Sequence, residues 1–246
     1  MTEFVGEVAT WFADPTTWTG PNGIPARLAE HLVVALAALA ACLAIALPLG
    51  LYIGHTGKGA RTVVGIANIG RAVPSLGLMG IAFLLLLPYG VAIGPLPAII
   101  ALTLLGIPPI VVNAHAGLHD VDRDLVEAAR GMGMREREVL WRVEIPIALP
   151  IILAGVRTSA VQIVATATLA AAFGGGTLGQ LIIIGFNVGD QVRIFGGALV
   201  VGVLAIATEL IFAVIQRTAT SPGLRNRPFV PMEPARVAPP PGSGVG

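Results

Sequence analysis

The chain has 246 residues, of which 55% are hydrophobic and 12% charged, with a mean hydropathy of +0.84 and a formal net charge of +1. Soluble domains carry about 25% charged residues, so this balance excludes a soluble domain and describes an all-α, polytopic membrane protein that offers nothing to nucleic acid. The lone cysteine, Cys42, lies in an apolar run, which leaves neither an internal disulfide nor a cysteine metal site.

Residues 1–28 read as an N-terminal segment outside the bilayer. Phe4, Val8, Trp11 and Phe12 share a helical face there and Trp18 follows, as interfacial aromatics do. No basic stretch precedes an apolar core, so no cleaved signal peptide is expected. Residues 29–217 read as the transmembrane domain, with about five spans. The first covers about Ala29 to Gly54, with Gly50 and Gly54 spaced for close helix packing. The second runs from near Thr62 to near Pro88 and is expected to kink at Pro74 in Arg71-Ala72-Val73-Pro74-Ser75. The third covers about Leu96 to His115, where Pro108-Pro109 forces a break or kink. The fourth covers about Pro146 to Phe173; a Gly-rich stretch and a short apolar piece, Leu178 to Phe186, follow. The fifth covers about Ile194 to Ile215. Residues 218–246 are rich in Pro and Gly and are expected to form a disordered cytoplasmic tail.

Between the third and fourth spans lies a polar stretch, His119 to Pro146, with five arginines and seven acids. A charge at a bilayer centre costs roughly 2.5–3.5 kcal/mol on insertion scales, so this stretch is a solvent-side loop. Leu125, Val126, Ala129, Met132, Gly133, Val139 and Leu140 recur at helical spacing. Asp122 or Asp124 suits the first N-cap. Gly131 and Gly133 permit a bend, and Pro146 suits the start of the next span. The pattern is a short amphipathic helical hairpin on a membrane surface. Lys58, Arg61, the loop arginines and Arg217, Arg225, Arg227 and Arg236 fall on one side of five spans, against Arg27 and Arg193 on the other. Positive charge marks the cytoplasmic side, so the N-terminus is outside, while the loop and the C-terminus are cytoplasmic.

Glu127-Ala128-Ala129, three residues, Gly133, nine residues and then Val143-Glu144-Ile145-Pro146 resembles the Glu-Ala-Ala loop of ABC importer permeases, with Val143 and Ile145 as conservative departures. The resemblance implies that Glu127, Ala128, Ala129, Arg130, Gly133 and Pro146 belong to a loop that docks into a groove of a separate ATPase. It extends over roughly residues 28–217, through Glu30-His31-Leu32, Val73-Pro74-Ser75-Leu76, Asn113 to Gly117, Pro150 to Arg157 and Gly174 to Gly179. In that breadth the chain is similar to permeases of osmoprotectant importers, which take up glycine betaine, carnitine, choline or related solutes. The implied partners are two ATP-binding subunits, a second permease subunit (identical or paralogous) and a separate extracytoplasmic solute-binding protein, within the lipid of a bacterial-type cell membrane. In a chain of this length a fused solute-binding domain is not expected. No cofactor is expected on this chain: Gly57-Lys58-Gly59 departs from a P-loop at both ends, so ATP is bound by the partner.

Gly174-Gly175-Gly176-Thr177-Leu178-Gly179 fits GxGxxG in letters only, since a dinucleotide site needs a strand before it. It reads as a hinge and part of an outer gate. Thr158, Gln162 and Thr166 repeat every four residues on one face of the fourth span. They serve either interhelical hydrogen bonds or the translocation path, for which Pro74, Ser75 and Asn113 are further candidates. Arg71, Arg157 and Glu209 lie inside spans at similar depths of roughly 12–17 Å, counted at 1.5 Å per residue. Buried charges need partners, so Glu209 is expected to pair with Arg157 or Arg71. His31, His55, His115 and His119 sit near span ends, in solvated or capping roles. No motif of an enzyme is found. The alternatives are an ABC permease for another small solute, such as an amino acid, and a stand-alone secondary transporter; internal repeats, common in the latter, are not evident.

Overall fold

The structure is a computed structural model, and it describes residues 2–220. Every element in it is helical. Helix α1, Thr2–Ala13, lies ahead of a 33-residue helix α2, Ile24–Thr56. Asp14 caps the short turn after α1 by accepting the Thr16 N–H at 2.8 Å, which holds its carboxyl below the usual carboxylate range. Pro25, in the first turn of α2, supplies a fixed φ where no amide donor is needed. Gly57, at φ +68°, ends the helix in the left-handed conformation.

The second expected span is two helices, α3 (Ala60–Gly70) and α4 (Ser75–Leu86), set at 96° across a four-residue break. This is a break rather than a kink. Pro74 lacks an amide hydrogen and pushes Val73 out of the helical region, so the chain restarts as a new helix instead of bending an old one. The reverse holds in α5, Leu96–His119, which runs unbroken through Pro108 and Pro109 and four residues beyond the expected end. Neighbouring helices secure its backbone: α5 packs against α2 over much of its length, and the Ser159 hydroxyl of the fourth span donates to the Gly106 carbonyl at 2.6 Å.

The loop folds as α6, Arg123–Gly131, and a single turn, α7, Glu136–Val139. The fourth span does not start afresh at Pro146. Leu140–Glu144 form a π-helical turn that joins α7 to α8, Ile145–Thr166, so helix runs continuously from the loop into the membrane. The wider turn lets the Ile145 N–H reach the Leu140 carbonyl just before Pro146 removes a donor. After Thr166 the helix tightens to a 3₁₀ segment, Ala167–Phe173. Helices α9, Gly179–Val188, and α10, Gln191–Ala219, complete the chain. Among the described residues, α2, α5, the α7–α8 run and α10 are long and apolar enough to cross a membrane, and the α3–α4 pair is a broken fifth.

The core lies where α2, α5 and α8 meet. Small residues let the backbones approach: a Cβ on Gly50 would lie 2.7 Å from the Ala114 Cβ, and one on Gly54 would lie 2.9 Å from the Leu118 Cβ. Cys42 is fully buried in this seam. Helix α1 is not a free interfacial element. Its Trp11 ring covers Gly196 of α10, and Phe4 meets Phe195 edge to face at 5.5 Å. Trp18 is half exposed, and its indole N–H donates to the Phe12 carbonyl.

Candidate functional site

The polar loop begins with Asp122, whose carboxylate accepts the Asp124 N–H at 2.9 Å and so caps α6. Val126 and Ala129 turn inward and pack with Leu118, Val121, Val139 and Ile152, while Glu127, Ala128 and Arg130 stay exposed. Gly133, at φ +84°, reverses the chain in otherwise open space, so the backbone and not packing demands glycine there. Arg130 then grips Glu136 with Nε and Nη2 at 2.9 and 3.0 Å, tying α6 to α7. This hydrogen-bonded pairing raises Arg130 above the ordinary guanidinium range and lowers Glu136 below the usual carboxylate range. Leu125, Met132 and Trp141 remain exposed around the hairpin. The result is a knob with a fixed backbone, a charged crest and an apolar rim. It can be gripped by another body, and it holds no nucleophile–base pair.

Behind the knob sits a cluster that sequence reasoning missed. Glu144 is 5% exposed, and the Nδ1 of His55, at the end of α2, donates to its Oε2 at 2.5 Å. His55 Nε2 faces Glu136 Oε2 at 3.4 Å. His55 is therefore not a solvated end residue. The positions are 89 residues apart, and no local pattern pairs them. His31 is also misjudged by its place near a span end: it is fully buried, and its Nε2–H donates to the Val164 carbonyl at 2.9 Å. The helix tightens soon after Val164.

At the end of α2 opposite the hairpin, Gly174 and Gly176 take positive φ (+76° and +67°), and so does Thr177 (φ +67°), which has a side chain to accommodate. Thr177 is held there by three contacts. Its N–H donates to Glu30 Oε2 at 3.3 Å, its hydroxyl donates to the Ala167 carbonyl, and that hydroxyl accepts the Gly179 N–H. Glu30 also accepts from Arg27 Nη1 at 2.7 Å. Gly174, Gly175 and Gly176 line a cavity of about 410 Å³ together with Arg27, Glu30, Val33, Val34 and Pro95. The sequence-predicted gate glycines are thus brought to one opening, with Glu30 as an unforeseen member.

The other predicted residues are dispersed. Pro74 and Ser75 lie at the α3–α4 break. Asn113 donates to the Pro109 carbonyl of its own helix at 2.8 Å and packs on Gly155. Thr158 is exposed and donates to Ala154 of its own helix, while Gln162 and Thr166 are half-buried. The hydrogen bond from α8 to α5 comes instead from Ser159, one residue off the stripe. Arg157 pairs with Glu209 of α10, and Gln216 completes the group by accepting from Arg157 and donating to the Pro150 carbonyl at 2.9 Å. Arg71 takes no part. The break places it exposed at a turn, so it is not a buried charge. Arg225, Arg227 and Arg236 lie outside the described residues.

Known proteins agree with this architecture. Residues 46–225 match the family described as binding-protein-dependent transport system inner membrane component. The glycine betaine/carnitine/choline transport system permease protein OpuCB of Bacillus subtilis (strain 168) is 39% identical over 81% of this chain and 90% of its own length. The choline transport system permease protein OpuBB of the same organism is 38% identical over 80% and 88%. The osmoprotectant import permease protein OsmW of Salmonella typhimurium is 36% identical over 80% and 91%. Among solved structures, a chain of the MetNI methionine ABC transporter in an inward-facing conformation superposes with a TM-score of 0.72 at 25% identity, covering 85% of this chain and 99% of that one. A loop that another body can grip, spans that form a helical membrane bundle and a family match over most of the length converge: the chain belongs to the inner-membrane components of binding-protein-dependent transport systems.

Proposed function

We propose that the chain is the transmembrane permease subunit of an ATP-driven importer for osmoprotectants of the glycine betaine, carnitine or choline type. The observation that carries the solute class is 36–39% identity, over about four-fifths of the chain, to permeases named for these solutes. The composition agrees: aromatics are 5% of the sequence, and among the described residues Trp11, Phe12 and Trp18 group in the segment ahead of α2 and not in the spans, where a passage would need them to cage quaternary ammonium through cation–π contacts. High-affinity recognition therefore belongs to a separate extracytoplasmic binding protein, and this chain offers a low-affinity passage.

In this reading Glu127, Ala128, Ala129, Arg130 and Gly133 seat the knob in a groove on the ATP-binding subunit, and Pro146 follows the π-turn that carries the knob's movement into α8. ATP stays on that subunit, and no cofactor resides here. A second permease, identical or paralogous, completes the passage. ATP binding stabilises one of two arrangements of the spans, and its loss favours the other. Gly174, Gly175 and Gly176 bend at the outer gate. The N-terminus lies outside, and the loop lies in the cytoplasm.

The test is co-purification from detergent with the ATP-binding subunits encoded in the same source, followed by uptake into proteoliposomes. Wild type is expected to bring the ATPase down, and Glu127→Ala with Gly133→Asp to lose most of it. With its binding protein, the complex should accumulate radiolabelled choline, carnitine or glycine betaine in preference to methionine. Uptake of methionine alone would move the chain to the amino-acid permeases. An ATPase absent from both samples would restore the stand-alone transporter.

A further inference from the structure

Helix α2 is polar-clamped at both ends and apolar between them. At the cytoplasmic end His55 donates to the buried Glu144 at 2.5 Å and faces Glu136, which Arg130 holds in the coupling hairpin. At the outer end the Glu30 carboxylate accepts the Thr177 N–H at the mouth of the glycine-rich loop. A Cβ on Gly176 would collide with that same carboxylate. The 25 steps from Glu30 to His55 span about 37 Å at 1.5 Å per residue. Between the clamps α2 is seated against α5 at Gly50 and Gly54.

We propose that α2 is a transmission rod between the ATPase-coupling hairpin and the outer gate, with His55–Glu144 and Glu30–Thr177 as its two end clamps. The inference rests on the permease reading and adds four positioning residues to it. Movement of α7 and the π-turn carries Glu144, and Glu144 carries His55. The rod displaces Glu30, and Glu30 releases or restores Thr177. Thr177 is suited to this part because its left-handed backbone conformation is strained for a residue with a side chain and persists only while its contacts hold it. Loss of the Glu30 contact lets the loop relax.

The test uses the complete complex in proteoliposomes, with the binding protein and whichever of choline, carnitine or glycine betaine the wild type takes up. The readout is solute imported per ATP hydrolysed. His55→Ala and Glu30→Ala should each lower this ratio by about fivefold or more, the lower end of ordinary coupling between sites, while the ATPase still co-purifies. His55→Asn keeps an N–H near the Nδ1 position and Glu30→Gln keeps an oxygen that can accept the Thr177 N–H, so each should recover much of the loss. The double variant His55→Ala/Glu30→Ala should be no worse than the poorer single, because two cuts in one rod do not add. Single variants with a wild-type ratio, a double variant whose losses multiply, or loss of the ATPase from His55→Ala would each overturn the rod. Failure of the permease reading shows elsewhere: wild type would then carry no ATPase, and both readings would fall.

Discussion

A few side-chain positions decide whether the helices can meet. A Cβ at Gly155 would lie 2.7 Å from the Asn113 Cβ and 2.8 Å from the Pro109 carbonyl oxygen, whereas Gly65 has open space around it. Gly155→Val is expected to destabilise by about 1–3 kcal/mol, the ordinary penalty of overpacking. Gly65→Ala should be neutral or slightly stabilising. Thermal unfolding in detergent separates them, and equal melting temperatures would contradict the packing described. Glu209→Gln should cut the yield of folded chain several-fold by leaving Arg157 with Gln216 but no carboxylate for a partner; unchanged yield and transport would show that the pair is dispensable. Counting residues from span ends admitted two partners for Glu209, because depth along a helix says nothing of azimuth. The choice of Arg157 follows from α10 lying against α8 and from Arg71 being displaced by the α3–α4 break. The glycine doublet Gly50/Gly54 could be read from spacing. Gly106 and Gly155 could not, since their partners lie on other helices.

The polar hairpin depends on contacts of different strength. Its apolar side is packed, but Arg130–Glu136 is exposed and screened by salt. The hydrogen bonds from Arg130 hold the folded-state pKa of Glu136 below the ordinary carboxylate range, so its contribution is present at neutral pH and fades as pH falls through that lowered value. The protection of residues 123–139 against hydrogen exchange, taken relative to the intrinsic exchange rate at each pH, should fall on acidification below the ordinary carboxylate range, and to a lesser degree in high salt at neutral pH. Protection that rises on acidification would have the wrong sign. The caps and periodicity of α6 were legible because they are local: Asp122 stands where an N-cap must, and Val126 and Ala129 mark one face. The proline effects were not. Pro74 broke a helix and Pro108-Pro109 did not, and the difference lies in the neighbours that surround α5 and leave residues 71–74 exposed. The continuity of α7 into α8 hides behind Pro146 because a π-turn has no sequence signature of its own.

At the scale of the whole chain, orientation is open to a direct measurement. Cys42 is fully buried and should stay silent toward polar thiol reagents. Glu7→Cys should react with an impermeant maleimide added to intact cells, and Lys58→Cys only after the membrane is opened; the reverse pattern would invert the topology inferred from basic residues. Four to five spans and a polar loop between the third and fourth were legible from charge and hydropathy. The opening lined by Gly174, Gly175 and Gly176 was half legible, since its glycines announce themselves and Glu30 does not. The seam between α2 and α5 has a consequence for how such a molecule can change shape. Side chains that interdigitate can slide by hopping between rotamers. A glycine backbone pressed on Ala114 and Leu118 has no rotamers to spare, so the two helices are welded. Opening and closing must then move the pair as one body and be borne by the joints around it: the π-turn at residues 140–144, the bend at 71–74, the turn at 189–190 and the glycine run at 174–176. A cross-link across the weld should therefore be harmless to the working cycle, and one across any of these joints should stop it.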